Sequence, residues 1–378
     1  MLNDLKSAAG VAELIDFSKR VANAANTLAK IRERDVEIAQ TPREEIHRIA
    51  GRTLYRIKLD GPRRTKIPVL VTYAMVGHWN VLDLQDDRSF VKNLVEAGCD
   101  VYVTDWGHPT PADQFDDFGD LINTYMGTFV DVIRERHNCD SINMLGICQG
   151  GVLSLLYAAL HPETVRNLVT VVTPVDFHAD LQEERLDTGF MNVWTRGLAG
   201  EDIDLLVESM GNIPGELGGG MFSLMTPFRT LAKYNLTLVQ AGQDPDALMN
   251  YFRMEKWLAD RPDHTGAAAR QWLKELYQEN KLFRGELVVD GRNVDLKAVN
   301  MPVLNVYSET DTIVHPLSSK AMRGRVGSEN YEEFPVAGGH IGILVARSKK
   351  LCTKIADWLA AHSGGGAIDE LCDQFGRA

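Results

Sequence analysis

The chain has little of what announces a protein class at once. Its five cysteines in 378 residues show no paired spacing, so neither a disulfide framework nor a zinc cluster is indicated. Basic residues are the minority, 40 Lys and Arg against 52 Asp and Glu. The net charge of −12 argues against non-specific nucleic-acid binding. No apolar run reaches the length of a membrane span. The opening Met1-Leu2-Asn3-Asp4-Leu5-Lys6 lacks the basic-then-apolar layout of a secretion signal, and a cytoplasmic location is expected. Phosphate loops, dinucleotide fingerprints, repeats and low-complexity tracts are missing too, so neither a cofactor nor a metal is expected. What is there is 44% hydrophobic content, enough for one large core.

Read in order, residues 1–50 are Ala-rich and charged and are expected to form an N-terminal helical segment. Leu14, Phe17, Val21, Ala24, Leu28 and Ile31 recur at spacings of three and four, about two heptads of an apolar stripe. Such a stripe either packs on the protein's own core or docks a partner. Strands are expected at 53–59, 67–74, 100–104, before 146, at 167–173, 303–307 and 331–334. Helices are expected at 89–97, 116–137, 152–160 and 342–362. Alternating strands and helices with short connections predict a mostly parallel, doubly wound α/β sheet. The alternation stops after Phe177. From there to about 299 the chain is rich in Gly, Met and aromatics and reads as a helical insertion covering the sheet. The core is then 51–176 with 300–362, and 363–378 is a tail after the flexible Ser363-Gly364-Gly365-Gly366.

The chain is organised around Gly146-Ile147-Cys148-Gln149-Gly150-Gly151, between an apolar strand and a helix. Strand, Gly-x-Cys-x-Gly-Gly, helix is the nucleophile elbow of the α/β-hydrolase pattern, with Cys where Ser is commoner. The glycines permit a sharp turn that holds the thiol over the sheet edge, and the helix N-terminus favours the thiolate. An elbow nucleophile needs an acid and a base, in that chain order. Asp311 follows the strand 303–307, and His340 follows the last strand between glycines, opening the final helix. Asp176 and Glu309 are the rival acids. The expected roles are Cys148 as nucleophile, His340 as base and Asp311 as its orienting acid. The backbone N–H groups of Gln149 and Val76 are the expected oxyanion donors. His78, His161, His178 and His315 are read as surface or supporting residues. Cys99, Cys139, Cys352 and Cys372 are read as structural, and Arg63, Arg64 and Lys66 as a solvated turn.

With these residues in place, the chain resembles the catalytic subunits of polyhydroxyalkanoate synthases of the short, two-component type. The likeness rests on Val81-Leu82-Asp83-Leu84-Gln85, Asp105-Trp106-Gly107, Gly146–Gly151, Val172-Thr173-Pro174-Val175-Asp176-Phe177, Gly211-Asn212-Ile213-Pro214-Gly215, Phe252-Arg253-Met254-Glu255-Lys256-Trp257 and Gly338-Gly339-His340-Ile341-Gly342. Together these cover about residues 65–345. The length fits the two-component type, since single-subunit relatives carry a long N-terminal domain. The resemblance implies an α/β-hydrolase fold and polymerisation of (R)-3-hydroxyacyl units, such as 3-hydroxybutyryl, from coenzyme A thioesters. It implies a growing chain held on Cys148 as a thioester, with Asp311 as an alternative activator of the 3-hydroxyl. It also implies a polyester product, a second synthase subunit with homo-oligomerisation, and a place at the polyester granule surface. Thr312 stands where many relatives have His, so that His's role does not carry over. The rival readings are a Cys-His-Asp hydrolase (thioesterase, lactone hydrolase or depolymerase) and a non-enzymatic granule protein.

Overall fold

A computed structural model of the chain describes residues 2–60, 63–65, 67–182, 195, 197–225 and 231–363. The tail expected after Ser363, with Cys372, and also Lys66, lie outside these residues.

Eight strands build the central sheet: β1 (Arg43–Ile49), β2 (Arg52–Ile57), β3 (Val69–Thr72), β4 (Val101–Asp105), β5 (Ile142–Ile147), β6 (Val165–Val171), β7 (Val303–Ser308) and β8 (Tyr331–Val336). Their order across the sheet is β1-β2-β4-β3-β5-β6-β7-β8. The pairs β1–β2 and β2–β4 are antiparallel, and every later pair is parallel. Burial explains the sequence patterns. All residues of β3, β5 and β7 are buried, and these strands are near-continuous apolar runs, as strands covered on both faces must be. The edge strands β1 and β8 alternate between exposed and half-buried residues.

The first strand lies inside the segment expected to be helical. Arg43-Glu44-Glu45-Ile46-His47-Arg48-Ile49 pairs with β2 through a tight connection at Ala50-Gly51, so the boundary placed at 50/51 falls within a hairpin. Partnership with β2 decides this, since the charged run has no strong strand signal of its own. Before it, helix α1 (Leu2–Leu28) lies against the helices Leu238–Ala241 and Pro245–Ala259. Gln243 Nε2 donates to Arg20 O at 2.8 Å, and Gly242 lets Ala24 approach. Apart from Ile31, which is half-buried, the rest of the stripe is not packed on a core: Leu14 is 66% exposed, and Phe17, Val21 and Leu28 are exposed too.

Two apolar layers sandwich the sheet. Helices α2 (Phe90–Glu96) and α3 (Gly127–His137) flank it, and one layer gathers Leu70, Tyr102, Met144 and Leu168 against Phe129 and Leu156. The other gathers Val71, Val103, Leu145 and Leu304 against Phe90 and Trp358. Neighbouring residues of one strand serve opposite layers, as the period of two requires. Between β6 and β7 the described chain is mostly helical, with Gly200–Met210, Gly215–Met225, Pro245–Ala259 and Gly266–Arg270 among its elements. No helix of the described residues is long and apolar enough to cross a membrane.

The last helix begins later than its sequence pattern predicts, at Lys350 instead of 342. Ile341–Val345 forms a turn that buries Ile343 and Leu344 in the second layer, and this burial outweighs helical propensity. His340 therefore sits in a loop and does not open the helix.

Candidate active site

The register of the parallel strands sets the site. Thr72 of β3 pairs with Gly146 of β5, Ile147 with Val171 of β6, and Ser308 of β7 with Val336 of β8. The loops leaving these C-terminal ends share one rim, where α/β sheets collect their functional groups.

Between the end of β5 and the start of α4 (Gln149–Leu160), Cys148 alone turns the chain. Its φ of 55° and ψ of −121° are strained for a residue with a side chain. The surroundings hold it there. Its N–H donates to Val171 O at 2.9 Å, and its C=O accepts from Gly151 and Val152 N–H at 3.0 and 3.2 Å. A Cβ on Gly150 would collide with the carbonyl oxygens of Thr72 and Tyr73, and one on Gly146 would lie 2.6 Å from Gly150 O and Ser154 Oγ. Those two glycines let α4 approach β3 and β5 closely enough to form the turn. Cys148 is half-buried at the N-terminus of α4.

Asp311 and His340 are buried on the same rim, at 3% and 7% exposure. Asp311 Oδ1 accepts the N–H groups of Ile313 and Val314 at 2.8 and 3.0 Å, which fixes the carboxylate. Its Oδ2 lies 2.7 Å from His340 Nδ1. A carboxylate only accepts, so Nδ1 carries the proton and Nε2 is left for Cys148. Burial alone would depress the imidazole. Attraction to Cys148 and then to Asp311, with a hydrogen bond to each, overcomes it and pushes His340 up to about 10. The Ser308 and Thr310 hydroxyls donate to Gly338 O, tying the Asp311 loop to the His340 loop.

The rival acids lie elsewhere in the bonding network. Asp176 Oδ1 accepts from Asn280 Nδ2 at 2.7 Å and from His178 N–H at 2.9 Å, and Glu309 is exposed. His161 pairs with Asn123, His178 with Tyr277 O, and the buried His315 caps the helix Pro316–Lys320. Burial pushes the Cys99 thiol up to about 12 and raises those of Cys352 and Cys139. Arg63 and Arg64 pair with Asp100 and Asp357.

The two expected oxyanion donors differ. The Gln149 N–H finds no acceptor among the described residues. The Val76 N–H donates at 3.2 Å to Gln149 Oε1, which also accepts the Met75 N–H at 3.1 Å. In this conformation the Val76 N–H is therefore engaged, and not open to a ligand as expected. The sequence carries no signal of this contact, which spans 73 residues.

Cys148 opens onto two cavities. One, of about 130 Å³, runs under the insertion past Met221, Trp272 and Tyr277. The other, of about 150 Å³, lies between Trp257, Arg261 and His340. Burial, with the charge on Cys148, raises the Tyr73 and Tyr277 hydroxyls out of any acid–base range. His264, which sequence reasoning passed over, lines the first cavity; burial pushes it down to about 4, so it is neutral. Nearby, His78, His108 and Asp260 bring three potential metal ligands within 4.8 Å of one another. His78 Nε2 meets Asp105 at 3.3 Å and His108 Nε2 meets Asp260 at 3.2 Å, the second contact joining core and insertion.

Comparison with known proteins supports this fold. Residues 67–346 match the family described as alpha/beta hydrolase fold. The chain is 39% identical to the Poly(3-hydroxyalkanoate) polymerase subunit PhaC of Allochromatium vinosum, over 92% of this chain and 96% of that one. The subunit of the same name from Synechocystis sp. is 38% identical, over 92% of each chain, and that of Haloferax mediterranei 34%, over 96% of this chain and 71% of that one. Among solved structures, a monoglyceride lipase from Saccharomyces cerevisiae has a TM-score of 0.53 at 13% identity, covering 87% of this chain and 97% of that one, a likeness of fold alone. Identity at this level over nearly the whole length, on this fold, means that the chain belongs to the poly(3-hydroxyalkanoate) polymerase PhaC subunits, which are acyltransferases.

Proposed function

We propose that this chain elongates a polyester from (R)-3-hydroxyacyl coenzyme A thioesters through a thioester on Cys148. What carries the reading is the Asp311–His340 hydrogen bond beside an elbow cysteine, in a chain with PhaC relatives across nearly its full length. His340 holds the thiol proton, and the Cys148 sulfur attacks the thioester carbonyl. Coenzyme A departs as a thiol with the proton from His340, and the acyl group stays on sulfur. The hydroxyl of another 3-hydroxyacyl unit, deprotonated by His340 or Asp311, then attacks that carbonyl. An ester bond forms, sulfur leaves as the thiolate, and the chain is one unit longer. Exchange between two thioesters is nearly balanced, so the acyl group stays transferable to an alcohol, whereas an ester on Ser would have lost that driving force. The insertion, which we read as a cap, keeps water from the acyl-enzyme.

We further propose that a second subunit and the polyester granule occupy the apolar surface of α1 and the insertion. Among the described residues, every exposed large hydrophobic side chain except Phe115 lies in one of these two regions. Light scattering with and without the co-expressed partner tests this. An unchanged mass after α1 leucines are replaced by Gln would count against α1 as the docking element.

Incubation with 3-hydroxybutyryl coenzyme A tests the reaction. Polymer with release of coenzyme A is expected, and both should fall more than about a thousandfold in Cys148→Ala. Free 3-hydroxybutyrate without polymer would make the protein a hydrolase instead.

A further inference from the structure

The carboxamide of Gln149 engages one of the two amides expected to hold an oxyanion. Residue 149 follows the nucleophile, and its main-chain N–H is one arm of an oxyanion site. Its side chain folds across to the loop after β3, where Oε1 accepts both the Met75 and the Val76 N–H. An amide oxygen accepting two convergent N–H groups beside a nucleophilic sulfur is what a substrate carbonyl oxygen would be in the same place. Gln149 is 5% exposed, and Val76, Cys148 and Gln149 line the same cavity, so the residue borders the space an acyl group would enter.

We propose that Gln149 Oε1 is a built-in occupant of the oxyanion site, which the substrate's thioester carbonyl must displace before Cys148 is acylated. This rests on the reading of Cys148 as the acyl-bearing residue. Displacement carries a net cost: the Val76 N–H trades one neutral oxygen for another in the ground state and meets a charged one in the transition state, but the Met75 N–H and the displaced carboxamide lose their partners. Without an acyl ligand the strained turn keeps both loop amides satisfied, because an unpaired buried N–H is costly. Gln149 is thus a positioning residue. It delays the first acylation by the work of moving aside.

The test separates acylation from simple thiol reactivity. Gln149→Met keeps the side-chain bulk and removes the acceptor. Gln149→Glu keeps the acceptor and gives it a charge that binds both N–H groups more tightly. Single-turnover acylation by 3-hydroxybutyryl coenzyme A and alkylation by iodoacetamide are measured on the full chain. Displacement predicts acylation about tenfold faster in the Met variant and more than about a hundredfold slower in the Glu variant, with alkylation changed by less than about threefold in both. A short aldehyde, whose adduct with the thiol puts an oxyanion in the same site, should bind more tightly to the Met variant and more weakly to the Glu variant. Acylation in the Met variant that is slower than, or equal to, that of the native chain would overturn the proposal. Cys148→Ala is the separate control: acylation surviving in it would sink the nucleophile assignment whatever residue 149 does.

Discussion

Around Cys148 the elbow and Asp311 are fixed by main-chain hydrogen bonds, whereas the insertion above, tied to the core at points such as Trp257 Nε1 to His78 O and Ala268 N–H to Asp116 O, leaves several large apolar side chains in water. Asp311 is clamped by two N–H groups, Cys148 by Val171 O, and the glycines of the elbow leave no room for a methyl group. In the insertion, Leu205, Leu231 and Leu236 are 65%, 69% and 63% exposed, while Trp272 packs edge-on against Phe118 and Phe177. Chemistry demands fixed angles and sub-ångström placement, which hydrogen bonds to backbone supply. The roles proposed for α1 and the insertion, covering an apolar product and meeting a partner, demand area instead, which exposed leucines supply.

That contrast can be broken at several points. Asp311→Asn keeps the shape of the rim but removes the charge that orients His340, and polymerisation should fall on the order of a thousandfold in steady-state assays. A fall of less than tenfold would move the work elsewhere. Gly150→Ala pushes a methyl into the Thr72 and Tyr73 carbonyls, and urea unfolding should register a loss of about 3 kcal/mol or more. A native midpoint would mean that the elbow is softer than its packing implies.

The pH dependence probes the same rim. His340 lies at about 10 against an ordinary 6.5, so its charged form is favoured by folding. Its contribution to stability is fully present below 6.5 and is lost as the pH rises through about 10. The difference in unfolding midpoint between the native chain and His340→Gln should accordingly shrink from pH 7 to pH 10.5. A constant difference would show that the imidazole is held by packing alone. The smallest effect belongs to the insertion: Leu236→Gln should change stability by less than about 0.5 kcal/mol, because the side chain is already in water. A large loss there would remove the distinction between the two regions.

How legible each region was follows the same line. The elbow could be read directly, because its glycines and flanking periodicities act over a few residues. The Asp311–His340 pair was readable from strand ends and chain order, although the two residues are 29 apart. The strand Arg43–Ile49 was not, because its charges hide an edge position that only pairing with β2 creates. The late start of the last helix was hidden by an apolar run that suits a helix and a buried turn alike. The engagement of Val76 N–H by Gln149 had no local signal.

The sequence by itself determined the alternation of strands and helices, the sharp turn at Cys148 and the placing of His340 and its candidate acids at strand ends. All of these follow from steric and periodic rules that act between near neighbours. Only the tertiary structure decided which carboxylate meets His340, which amides around the thiol are engaged, and how much of α1 and the insertion stays in water. Those outcomes depend on atoms far apart in the chain competing for the same partner, and no local pattern records the result.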